Sequence, residues 1–123
     1  MKRRSPIKFA LAILWTIAIV SGSLMSGSNL QSTGMFDIPH ADKLLHFGGY
    51  FLFVFLWINA SRTPLSQKLV IQWIVLGSLL GIGVEFAQSA WTVDRRFENL
   101  DIIANIIGSI GGGIASNWII KTT

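Results

Sequence analysis

The sequence contains no cysteine. Disulfides, thiol nucleophiles and cysteine-ligated zinc or iron–sulfur sites are therefore excluded, and the redox compartment is left open. No HExxH segment and no serine in a nucleophile motif occurs. Charge is also scarce: 13% of the residues are charged, ten basic against six acidic. The net charge of +4 would suggest nucleic acid in a soluble domain, but the basic residues are scattered between apolar runs, and no nucleic-acid module is visible. What is abundant is apolar chain. At 51% hydrophobic over 123 residues, the composition points to one domain that resides in a membrane.

The chain predicts an all-α polytopic membrane protein with four transmembrane helices, at about residues 9–25, 44–60, 69–86 and 102–120. The first run follows Lys2, Arg3, Arg4 and Lys8. It exceeds the ~7–15 apolar residues of a signal peptide and lacks an Ala-x-Ala end, so a retained helix is expected. Residues 26–40, rich in Ser, Gly, Asn and Gln and carrying Pro39, read as a loop. Lys2, Arg3, Arg4, Lys8, Arg62, Lys68 and Lys121 fall on one side of this topology, and Lys43, Arg95 and Arg96 on the other. The positive-inside rule then places both termini in the cytoplasm. All six acids (Asp37, Asp42, Glu85, Asp94, Glu98 and Asp101) fall on the outer side. Acids contribute little to topology, so their segregation needs another reason.

Polar side chains concentrate where the third and fourth runs meet. Glu85 is expected about 25 Å above Lys68, just beneath the outer interface, and His46 and Asn105 about 6 Å below it. On the second helix Asp42, His46 and Tyr50 recur every four residues and share a face; Glu85 and Gln88 share one on the third, and Asp101, Asn105 and Gly108 one on the fourth. Each has a structural explanation. Asp42 and Asp101 suit helix starts, Tyr50 suits packing, and His46 suits a hydrogen bond near the interface. Lys43, Arg95 and Arg96 suit solvent or lipid phosphate. Glu85 resists such a reading, because a carboxylate below the interface must be neutral, paired or hydrated. Together, Asp42, Lys43, His46, Tyr50, Glu85, Gln88, Arg95 (or its neighbour Arg96), Asp101 and Asn105 form the candidate site. Gly77 with Gly81, and Gly108 with Gly112 and Ser116, are small-residue repeats. They predict close contact of helices three and four, within one chain or between two copies.

The motifs Asp42-Lys43-Leu44-Leu45-His46-Phe47-Gly48-Gly49-Tyr50, Glu85-Phe86-Ala87-Gln88, an Arg95-containing loop and Asp101-Ile102-Ile103-Ala104-Asn105-Ile106-Ile107-Gly108 occur in order. In this the sequence resembles the VanZ-like membrane proteins, over about residues 40–115. Asp94 stands where that family often has Gly. The resemblance implies a multi-pass protein of the bacterial cell membrane, in a family named for a member associated with teicoplanin resistance. It supplies no catalytic residues.

Three functions are in view. The first is binding of an amphiphilic envelope molecule, such as a lipid-linked cell-wall precursor or a lipoglycopeptide, with Lys43 and Arg95 or Arg96 on its anionic groups. The second is a membrane-embedded enzyme with Glu85 and His46 as an acid–base pair. In that reading Asp42, His46, Glu85 and Asp101 form an alternative nitrogen and oxygen ligand set for a metal. The third is a small proton-coupled transporter, assembled as a homo-oligomer through the glycine repeats. The leading reading expects no cofactor or resident metal, and membrane lipids as the surrounding partners.

Overall fold

A computed structural model describes residues 5–24, 41–61, 66–91 and 99–122. These form four helices: α1 (Pro6–Ser23), α2 (Ala41–Ala60), α3 (Gln67–Trp91) and α4 (Asn99–Thr122). All four are long and apolar enough to cross a membrane.

The ends of the helices follow local chemistry. Ser5 caps α1, its Oγ accepting from the Lys8 backbone N–H at 3.4 Å, and Pro6 occupies the first turn, where its missing N–H costs nothing. Asp101 lies in the first turn of α4, at the positive end of the helix dipole. Two boundaries differ from the sequence expectation in a way that matters. The third helix does not close at Phe86 but runs on to Trp91, so Glu85 sits in its body with six residues beyond it. Ala87, Gln88 and Ala90 favour helix, and no Gly or Pro interrupts them. The fourth helix starts at Asn99 rather than at 102, which draws Asp101 inside it.

Consecutive helices run antiparallel, as three tryptophans make plain. Trp15 Nε1 donates to the Gly49 carbonyl at 2.9 Å, Trp57 Nε1 to Thr16 Oγ1 at 2.9 Å, and Trp73 Nε1 to Ser61 Oγ at 3.2 Å. Trp57 and Trp73 stack with centroids 5.0 Å apart, and Phe9 meets Trp57 edge-on. Each indole is thus partly buried while its N–H is satisfied. Asn59 Nδ2 reaches Ser116 Oγ at 3.5 Å and brings the last turns of α4 to this same end. The first turns of α1 and the last turns of α4 therefore share one end of the bundle. The opposite end holds the first turns of α2 and α4 and the last turns of α3.

Helix α4 lies between α2 and α3 and presents a separate small-residue ridge to each. A Cβ added to Gly108 would meet the Phe47 carbonyl group, and one added to Gly112 the Phe51 carbonyl group, so this ridge lets α4 touch the backbone of α2. The ridge one residue on faces α3, where a Cβ on Gly113 would lie 2.7 Å from Ile74 Cγ1 and one on Gly77 2.7 Å from Ser109 Oγ. The expected contact of helices three and four is present, through Gly77 and Gly81. Gly108 and Gly112 instead serve α2.

Apolar and polar surfaces are inverted relative to a soluble domain. Leu11, Leu14, Ile71, Leu79, Ile107 and Trp118 are exposed, while Glu85, Gln88, Asn105, Ser109 and Ser116 are buried. A smaller apolar core of Phe53, Val54, Ile58 and Val70 joins α2 to α3. Such an exterior suits lipid and would be costly in water.

Candidate functional site

The buried polar groups gather at the end of the bundle away from Pro6 and Thr122. The approach of α3 to α4 has a simple register: Gly77 lies opposite Ser109 and Gly81 opposite Asn105, and the next step of four residues brings Glu85 level with Asp101. Small residues below thus let the helices close, and acids meet above. From the other side, α2 supplies Lys43, His46 and Tyr50.

Asp101 and His46 connect the parts. Lys43 Nζ forms an ion pair with Asp101 Oδ1 at 2.7 Å, and His46 Nε2 lies 3.5 Å from Asp101 Oδ2. On the other edge of the imidazole, His46 Nδ1 is 2.9 Å from Asn105 Oδ1. An amide oxygen only accepts, so Nδ1–H donates and Nε2 is turned toward the carboxylate. Glu85 completes the group from α3: one donor atom each from His46, Glu85 and Asp101 lie within 4.8 Å of one another. Burial is nearly complete, with Glu85 0%, Asn105 1% and Asp101 4% exposed. Tyr50, one turn below His46 on the same face, is 2% exposed, and its hydroxyl has no hydrogen-bond partner among the described residues. It is near enough to Glu85 to interact with it electrostatically. Gln88, three residues beyond Glu85, is also buried.

Two buried carboxylates, Glu85 and Asp101, share this end of the bundle with the partly exposed Lys43 ammonium, and charge in a low-dielectric interior must be neutralised by its surroundings.

Six of the nine candidate residues, Lys43, His46, Tyr50, Glu85, Asp101 and Asn105, are brought together, with Gln88 adjoining on α3. The Asp42 side chain and Arg95, with its neighbour Arg96, lie outside the described residues. The Lys43 ammonium, on a side chain 24% exposed, pairs with Asp101 across the bundle. Two glycines that the sequence marks only as packing positions, Gly81 and Gly108, also shape the site. A Cβ on Gly81 would lie 2.8 Å from both Cβ and Nδ2 of Asn105, so this glycine makes the space in which Asn105 meets His46. Gly108 does likewise for the α2 backbone next to His46. Their signal was the four-residue step from Gly77 through Gly81 to Glu85, which puts glycines and acid on one face.

No family model matches the chain, and no solved structure matches it. The chain is similar to an uncharacterized protein of the yeast Schizosaccharomyces pombe, with 36% identity over 104 residues, covering 82% of this chain and 58% of that protein. The chain thus spans a little under three fifths of that relative's length.

Proposed function

We propose that this chain is a VanZ-like multi-pass membrane protein, with both termini cytoplasmic, whose outward-facing polar site takes the polar head of an amphiphilic membrane molecule. One observation carries the reading: His46, Glu85, Asp101 and Asn105 from three helices converge, buried, in a bundle whose exterior is apolar. Buried ionisable groups at the end of a membrane bundle are costly unless a function retains them. Motifs in the order of the VanZ-like pattern support the family, and the excess of Lys and Arg around the termini supports the orientation. A relative in a yeast, an organism without peptidoglycan, favours a head group common to many membranes over one peculiar to a bacterial wall. In a bacterial host the same site would act on lipid-linked precursors or on teicoplanin-type susceptibility.

The test is native mass spectrometry of the protein released from nanodiscs. Wild type is expected to carry an amphiphile of defined mass that Glu85→Gln has lost; identical adduct profiles for the two would remove the reading. A second reading, acid–base chemistry on such a molecule, is favoured by the His46 ring set between Asn105 and Asp101 with Glu85 at hand. It expects wild type, but neither Glu85→Gln nor His46→Ala, to convert a component of a membrane lipid extract. Turnover retained by the double variant would end it.

A further inference from the structure

We propose that His46, Glu85 and Asp101 bind one divalent transition-metal ion, of the zinc or manganese type, with Lys43 and Asn105 holding the ligands in position. The three donor atoms already lie within 4.8 Å of one another. Donors around one ion, each at about 2.0–2.2 Å from it, stand roughly 3.0–3.5 Å apart, so side-chain adjustments of about 1 Å close the set. One edge needs no adjustment: the 3.5 Å between His46 Nε2 and Asp101 Oδ2 is long for a direct hydrogen bond but suits two ligands of a shared ion.

The surroundings are those a metal ligand requires. Asn105 Oδ1 faces His46 Nδ1 at 2.9 Å, which fixes the ring and turns Nε2 toward Asp101, the orientation of an imidazole that ligates through Nε2. Lys43 occupies Oδ1 of Asp101 and leaves Oδ2 for the ion. Independently, the Tyr50 hydroxyl, on the His46 face of α2 and within electrostatic reach of Glu85, is buried without a hydrogen-bond partner among the described residues. It is placed to bond a water on the ion. One imidazole with two carboxylates fits zinc or manganese, whereas calcium takes six to eight oxygens. Three protein ligands leave a position open. On the reading of the site as a head-group receptor, that position receives an anionic oxygen; the metal site itself rests on the geometry alone.

The test uses full-length protein in detergent, stripped with chelator and titrated with Zn²⁺, Co²⁺ and Mn²⁺, with bound metal counted by elemental mass spectrometry. Wild type is expected to take one equivalent. Glu85→Gln and Asp101→Asn are expected to weaken binding by about 100-fold, and Asn105→Ala, which removes only the orienting bond, by about 10–100-fold. Gly83→Ala, whose added methyl meets nothing within 4 Å, should leave it unchanged. Far-UV circular dichroism checks that the variants fold. Pulsed electron paramagnetic resonance of Mn²⁺ in ¹⁵N-labelled wild type should show one imidazole nitrogen on the ion, which needs no variant. Absence of stoichiometric metal in wild type, undiminished binding by Glu85→Gln, or a metal without a histidine nitrogen would each overturn the proposal. A lipid-free protein that binds the ion would uphold it even if native mass spectrometry found no amphiphile.

Discussion

Replacing Gly108 by alanine tests the packing that assembles the site. A methyl there would stand 3.1 Å from Phe47 Cα and 3.0 Å from its carbonyl carbon, and closer still to the oxygen. Carbon atoms pack at about 3.5–4.0 Å, so α4 must retreat from α2 by roughly 0.5–1 Å. Backbone cannot swing aside as a side chain can, and overpacking of this kind costs about 1–3 kcal/mol. Against that, alanine is the better helix residue by about 0.5–1 kcal/mol. The net expectation is a loss of roughly 1–2 kcal/mol. The retreat also stretches the 2.9 Å bond from His46 to Asn105, one turn away, toward the limit of hydrogen bonding. Reversible unfolding in mixed micelles of rising dodecyl sulfate fraction, followed by circular dichroism, measures the effect. Gly83→Ala is the control, since its methyl meets nothing within 4 Å and should raise stability slightly. Equal stability of the two variants would refute the close α2–α4 contact.

Gly81→Ala should displace Asn105 and weaken the polar site as much as Asn105→Ala does, without altering any polar residue. A binding titration in which Gly81→Ala matches wild type would count against this close contact. Lys43→Met removes the ammonium from Asp101, a charged hydrogen bond that is only partly buried. It should destabilise the bundle by about 2 kcal/mol in the same micelle assay, and an unchanged midpoint would show the pair to be incidental. Because the chain has no cysteine, Arg95→Cys gives a single thiol. An impermeant maleimide should label it from outside intact cells, and labelling only after permeabilisation would invert the topology.

The existence of four helices was legible because apolar runs of membrane length leave little choice. Their ends were less so. Glu85 and Gln88 end an apolar count, but they do not end a hydrogen-bonded helix, and α3 carries both within its body. The meeting of α2, α3 and α4 followed from depth and helical phase, and His46, Glu85, Asp101 and Asn105 do converge. Partner choice did not follow. The two ridges of α4, Gly108 with Gly112 and Ser109 with Gly113, are one residue apart, and periodicity alone does not tell which neighbour each will face. Lys43 teaches the same lesson, because only the fold brings α4 near enough for Asp101 to take its ammonium.

His46, Glu85 and Asp101 should converge within a bilayer as they do in this fold. Solid-state nuclear magnetic resonance in lipid, with ¹⁵N-histidine, ¹³C-carboxyl labels and His40→Ala to leave one histidine, measures it directly. Cross-peaks from the His46 ring to the carboxyl carbons of both Asp101 and Glu85 are predicted. A ring that sees neither, or Asp101 without Glu85, would contradict a three-helix site.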